Sequence, residues 1–223
     1  MRRSLICIVL AASLAAESAD AEPPPKIPVQ LFFGNPAVSN PRLSDDGKIF
    51  AFIMSQGDVQ LVATRGISGG QTVPVAKFDD PRMRLNWLEW ANANRILISG
   101  QFRDRSAFGV RARATRLFGV DRDGEDFGLL GRKWPVFGQR AVPVASQDRV
   151  IHWTPTDPKT VLIEFRSPLE AHPEVMRMDV DTGALKPVQQ ATHGIREWHA
   201  DRDGRIRAGE ASERDGYQLW VRR

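Results

Sequence analysis

A chain of 223 residues with 42% hydrophobic residues is long enough for one large or two small domains and has an ordinary globular composition. Its 31 basic and 27 acidic residues leave a formal charge of +4, which permits only weak attraction to acidic surfaces. Cys7 is the only cysteine, so no disulfide can form within the chain.

Residues 1–21 read as a secretory signal peptide. Arg2 and Arg3 form a basic start, Leu5 to Ala16 an apolar run, and Ala19-Asp20-Ala21 a small-x-small cleavage site, so the mature chain is expected to begin at Glu22. The apolar run is too short to span a bilayer, which takes about 20 residues, and no membrane span is expected after cleavage. Cys7 lies inside that run, badly placed for lipid attachment, and leaves with it. The mature protein then has no thiol for a nucleophile or a zinc site. Export makes the expected location periplasmic or secreted, and nucleic acid is not an expected partner. Residues 22–40 follow as a proline-rich leader, stiff and extended through Glu22-Pro23-Pro24-Pro25-Lys26-Ile27-Pro28, with one helical turn or short strand between Gln30 and Pro36.

The remaining residues, 41–223, are organised around Pro41-Arg42-Leu43-Ser44-Asp45-Asp46-Gly47-Lys48-Ile49-Phe50-Ala51-Phe52. Asp45, Asp46 and Gly47 are turn formers, and the apolar run from Ile49 to Phe52 predicts a strand buried on both faces. The pattern returns at Asn94-Arg95-Ile96-Leu97-Ile98, at Pro158-Lys159-Thr160-Val161-Leu162-Ile163 and at Gly204-Arg205-Ile206-Arg207-Ala208. Measured from Lys48 through Arg95 and Lys159 to Arg205, the separations are 47, 64 and 46 residues. They bracket the roughly 40–50 residues of a four-stranded propeller blade, and the long one requires an insertion.

A second strand and an acidic or glycine turn follow in each unit: Val59 to Ala63, Leu117 to Asp121, and Val175 to Asp179. Third strands are expected at Thr72 to Phe78 and Ala184 to Val188. The fourth unit has strands near Ile206 and from Tyr217 to Val221. With no long helical periodicity, the expected fold is all-β: an incomplete β-propeller of about three and a half four-stranded blades.

Phe32-Phe33-x-Asn35-Pro36, then Pro41-Arg42-Leu43-Ser44-x-Asp46-Gly47-Lys48-x-x-Ala51-Phe52, then Trp90-x-x-x-Asn94-Arg95-Ile96-Leu97 resemble the N-terminal propeller of exported prolyl-oligopeptidase-family serine hydrolases. The resemblance implies a propeller that shields an active site and filters peptides by size, ahead of an α/β-hydrolase domain holding the catalytic triad. About half a propeller is expected here, with no counterpart of that domain expected in these 223 residues, so no catalytic residue carries over. The expected role is non-catalytic substrate gating, with a peptide or protein ligand. The turn-strand motif is shared with periplasmic TolB-type propellers, which makes a self-standing binding module the alternative. Open blade edges make self-association an expectation under either reading.

No catalytic, cofactor-binding or metal-ligating residue is assigned. Gly66-Ile67-Ser68-Gly69-Gly70 satisfies GxSxG, but Gln71-Thr72-Val73-Pro74-Val75 behind it is a poor helix start, so Ser68 is expected in a hairpin loop. His152, His172, His193 and His199 lack metal-ligand spacing and are expected in turns or at the surface. Asp121-x-Asp123-Gly124-Glu125-Asp126 and Asp201-x-Asp203-Gly204 hint at calcium loops, yet asparto-glycine hairpin turns explain them more simply. Arg103, Arg105, Arg111, Arg113 and Arg116 suggest a solvated face or edge-strand protection, or else a surface for a peptide carboxylate. Trp87, Trp90, Trp153 and Trp198, just ahead of the repeat strands, serve either packing between blades or the lining of a peptide channel.

Overall fold

The computed structural model describes residues 37–105, 111–131, 136–137, 140–141, 146–166, 172–213 and 216–222. The signal peptide and the leader, with the expected element between Gln30 and Pro36, lie outside the described residues. Among the described residues there is no helix, and none therefore long and apolar enough to cross a membrane.

The local reason for the first hairpin is visible atom by atom. Ser44 Oγ donates to Asp46 Oδ1 at 2.6 Å, the Lys48 amide donates to the same oxygen at 3.1 Å, and the Ile49 amide donates back to Ser44 Oγ. Gly47 takes φ of 69°, which costs glycine little. The turn joins β1 (Val38–Leu43) to β2 (Ile49–Gln56), and β3 (Val59–Gly66) and β4 (Val73–Phe78) complete an antiparallel sheet in chain order. The second sheet is β5 (Met83–Trp90), β6 (Arg95–Arg105), β7 (Arg111–Asp121) and β8 (Gly128–Leu130). A two-stranded ribbon, β9 (Val136–Phe137) with β10 (Arg140–Ala141), lies between it and the third sheet and accounts for the long repeat interval. The third sheet is β11 (Ser146–Trp153), β12 (Thr160–Arg166), β13 (Glu174–Asp179) and β14 (Leu185–Gln189), and the fourth is β15 (Ile195–Ala200), β16 (Ile206–Glu213) and β17 (Gly216–Val221).

Three apolar cores hold the sheets together, one at each junction. In the first, Ala51, Ile53 and Val62 of sheet 1 pack on Leu88, Ile96 and Ile98 of sheet 2. Leu97 and Leu117, on the other face of sheet 2, pack on Val161, Ile163 and Met176 of sheet 3. Leu162 and Val175 of sheet 3 pack on Ile195, Trp198 and Ile206 of sheet 4. Each sheet thus has a forward face, toward the next sheet in the chain, and a backward face toward the previous one. Among the described residues no core joins sheet 4 to sheet 1.

One charged side chain is built into this packing. Arg95 is 2% exposed, and it donates to Asp121 Oδ1 at 2.8 Å, to the Asp126 carbonyl at 3.0 Å and to the Val180 carbonyl at 2.9 Å, tying sheet 2 to sheet 3. Gly119 makes room for it, since a Cβ there would stand 2.5 Å from Arg95 Nη2. Lys48, Lys159 and Arg205, which mark the same place in the other repeats, are exposed.

The all-β propeller expectation holds, with three four-stranded sheets and one of three strands. Three details differ. The repeat strands are second in their sheets: β1, β5, β11 and β15 precede them, and these first strands approach one another, as β1 does β5 and β11 does β15. The strand from Ile49 is not buried on both faces. Ala51 and Ile53 are buried, but Phe50, Phe52 and Met54 on the backward face are only half-buried, because no described sheet covers them. Finally, the arginine-rich segment is no sheet edge. β6 and β7 are the two central strands of sheet 2, and their distal ends run on as a ribbon in which Arg103 pairs with Arg113 and Arg105 with Arg111 in register.

Candidate functional site

The first strands bring a cleft together on the inner side of the array. It encloses about 300 Å³ between Arg42 of β1, Trp87 and Glu89 of β5, and Asp148, Arg149 and Trp153 of β11. Strand alternation explains the membership. Trp87 and Glu89 are two apart and so share the forward face of sheet 2, while Trp90 falls on the opposite face. Trp87 and Trp153 meet edge to face at 6.3 Å between ring centroids, both half-buried against the second core.

The charges of the cleft are mostly compensated. Arg42 Nε donates to Glu89 Oε2 at 2.7 Å. Arg149 lies 3.4 Å from Glu164 of β12 through Nε and 2.8 Å from Glu197 of β15 through Nη2, so it bridges sheets 3 and 4. The hydrogen bond from Arg149 holds Glu197 below the usual glutamate range, and the same bond raises Arg149. Glu164 is 4% exposed; burial pushes its carboxyl up, against the pull of Arg149 and of the Trp198 amide. Asp148 accepts from Ser99 Oγ at 2.6 Å, from Thr115 Oγ1 at 2.5 Å and from Ser146 Oγ at 3.2 Å. The result is a nearly neutral wall with two indoles on it, suited to weak contact with an extended, mixed-polarity chain rather than to one charged ligand.

The four tryptophans singled out in the sequence therefore divide. Trp87 and Trp153 line the cleft. Trp90 and Trp198 are buried in the cores at 5% and 1% exposure, their indole N–H groups donating to the Arg42 and Pro173 carbonyls. All four sit within the first strands, just ahead of the repeat strands as the sequence places them.

Ser68 lies in the turn of the β3–β4 hairpin, where the Gly69 amide donates to the Gly66 carbonyl and Gly69 and Gly70 take φ of 103° and 107°. A strand, β4, follows it, so the strand-turn-helix of a nucleophile elbow is not formed. The two aspartate loops are the β7–β8 and β15–β16 turns. Asp201 accepts from the Asp203 and Arg205 amides and from Arg207 Nε, which holds its carboxyl down at about 2.

The structure also joins histidines that sequence spacing keeps apart. His172 and His193 have ring centroids 5.2 Å apart; His172 Nε2 accepts from the Gly194 amide, so Nδ1 donates to the Ile195 carbonyl at 3.1 Å. His199, Glu197 and Glu210 place three possible ligand atoms within 4.8 Å of one another, on the forward face of sheet 4. Spacing could not show this, because Glu210 arrives from the partner strand, in register with Glu197. The arrangement could take a cation only in competition with Arg149, which already engages Glu197.

No protein-family model matches the chain, and no curated protein matches it. Among solved structures, dipeptidyl peptidase 4 from Porphyromonas gingivalis is similar at a TM-score of 0.55 and 11% identity, over 82% of this chain and 31% of that one. An oligogalacturonate lyase in complex with manganese is similar at 0.52 and 9% identity, over 84% of this chain and 52% of the lyase. TolB from Acinetobacter baumannii gives 0.46 and 13% identity, over 83% of this chain and 41% of TolB. The chain thus spans between 31% and 52% of the length of these proteins. Successive antiparallel sheets in chain order, each packed face to face on the next, together with this likeness, make residues 38–221 part of a β-propeller.

Proposed function

We propose that this chain is the substrate-gating propeller portion of an exported serine peptidase of the prolyl-oligopeptidase type, and that it contacts extended peptides through the cleft on its first strands. The observation that carries the reading is the cleft itself: paired guanidiniums and carboxylates beside the Trp87–Trp153 corner. The propeller motifs of residues 32–97 and the likeness to a dipeptidyl peptidase support it. A gate must admit many sequences and hold none. A wall whose charges are internally satisfied does that, since a passing peptide gains aromatic contact without exchanging a strong ion pair. The signal-peptide pattern of residues 1–21 supports export to the periplasm or beyond. The alternative, a self-standing TolB-type binding propeller, draws on the same turn-strand motif.

Titration of the purified chain with unstructured peptides of increasing length, followed by indole fluorescence, tests the reading. The expected result is saturable quenching at weak affinity that disappears in Trp153→Ala. Quenching that persists in that variant, or none at all in the parent, removes the cleft as the peptide contact. A downstream reading frame encoding further blades and a GxSxG followed by a helix separates the peptidase reading from the self-standing one.

A further inference from the structure

The charges that line the cleft are matched by opposite charges, with one exception. Arg42 is engaged by Glu89, and Arg149 is shared between Glu164 and Glu197. Asp148 has no cationic partner among the described residues, and the hydroxyls of Ser99, Thr115 and Ser146 hold it instead. Two of those hydroxyls are themselves oriented: Ser99 Oγ accepts from Asn86 Nδ2 and Thr115 Oγ1 from the Gln147 amide, so the proton of each is directed to the carboxylate. Oδ1 takes Thr115 and Ser146, whereas Oδ2 takes Ser99 alone and keeps an acceptor position for one further donor.

A strand irregularity brings Asp148 to this place. Three steps of β11, from Ser146 to Arg149, oppose two steps of β12, from Arg166 to Glu164, so β11 carries an extra residue there. Such a bulge breaks the alternation of faces, and consecutive residues Asp148 and Arg149 both line the cleft with Trp87 and Trp153. An indole face and a carboxylate attract the same class of group, a cation with N–H donors.

We propose that Asp148 sets the sequence preference of the cleft, selecting extended peptides that carry a lysine or arginine side chain where they cross it. The inference rests on the peptide contact proposed above and adds a specificity to it. Asp148 is only half-buried, so solvent screens the ion pair and the preference is modest, about fivefold over an uncharged side chain of the same length. A bias of that size still admits other sequences, as a gate must. Acidic side chains gain nothing in return, because Arg42 and Arg149 are already engaged.

Indole fluorescence titration of the purified chain with two N-acetylated, tryptophan-free peptides tests this, the pair differing only in a central norleucine or lysine. The lysine peptide is expected to bind about fivefold more tightly. In Asp148→Asn that advantage is expected to vanish while the norleucine peptide binds as before and the far-ultraviolet circular dichroism spectrum is unchanged. Asp148→Glu, which keeps the carboxylate, is expected to keep the lysine peptide the tighter of the two, an outcome that a merely structural Asp148 does not produce. Equal affinities in the parent overturn the preference and leave the peptide contact standing, whereas no quenching by either peptide overturns both. A preference that survives Asp148→Asn overturns the assignment to Asp148, and one that appears only with free amino termini overturns the side chain in favour of the terminal amine.

Discussion

The second strands of the four sheets come from one repeat, yet they live in two environments. In β6, Ile96, Leu97 and Ile98 are all 0% exposed, and in β12 every residue from Val161 to Phe165 is buried. In β2 burial alternates, and in β16 Ile206 is buried while Ala208 and Glu210 on the opposite face are half-buried. All four strands hydrogen-bond to partners on both sides in their sheets. What separates them is a neighbouring sheet on one face or on two, so two-sided burial belongs to position in the array. The end strands also differ from each other. β2 is apolar on both faces, with Phe50 and Phe52 turned to the open side, whereas β16 sets Glu210 there.

The largest effects are expected in the middle sheets. Arg95→Ala empties the buried guanidinium site between sheets 2 and 3 and leaves the Val180 carbonyl without its donor, while Asp121 keeps Asn94, an expected loss of about 3 kcal/mol in urea unfolding. Leu97→Ala and Ile163→Ala open cavities where no face can relax, and about 2–5 kcal/mol is expected from each. Leu219→Ala, on the open face of sheet 4, should cost less than about 0.5 kcal/mol when the protein is dilute. Comparable losses at Leu97 and Leu219 would erase the distinction between middle and end.

Acid separates the two regions by sign. Asp80 and Asp201, in turns, have carboxyls lowered from 3.8 to about 2 by their arginine partners, Arg82 and Arg207, so they stabilise the fold above the ordinary aspartate range. That contribution is lost as pH falls through about 2, and Asp201→Asn should flatten the acid limb of the stability profile between pH 4 and 2. Glu164, buried in sheet 3, is shifted the other way. Its contribution is full below the ordinary glutamate value of 4.5 and is lost as pH rises through the raised value. Glu164→Gln should therefore gain on the parent protein as pH moves from acid to neutral, and a flat difference would refute the assigned burial effect. The smallest effect is at Ser68: a fluorophosphonate probe is expected to leave it unlabelled, and stoichiometric labelling lost in Ser68→Ala would make the chain a hydrolase of an unfamiliar kind.

Much of this was legible in the sequence, and the limits have physical reasons. The turn residues Asp46 and Gly47, Asp123 and Gly124, and Asp201 and Gly204 marked the hairpins, because Asp46, Asp123 and Asp201 accept from amides two to four residues away. The ribbon at 136–141 was announced by the long repeat interval. The first strands were hidden, because β5, β11 and β15 mix arginine, aspartate and glutamate with tryptophan, and these residues divide between the cleft or surface and the cores. The cleft was hidden for the same reason. Its charges pair across 47 and 48 residues, Arg42 with Glu89 and Arg149 with Glu197, and only the assembled array brings such partners together.

Amide hydrogen exchange resolved to single strands and run on a dilute sample tests the difference between middle and end most directly, because β2 and β6 are both second strands of four-stranded sheets and differ only in how many faces are covered. The expected result is strong protection of Ile96 to Ser99 and of Val161 to Phe165, with markedly faster exchange through Phe50 to Met54. Equal protection of β2 and β6 in a monomeric sample would contradict the account, since it would mean that the backward face of sheet 1 is covered within a single chain.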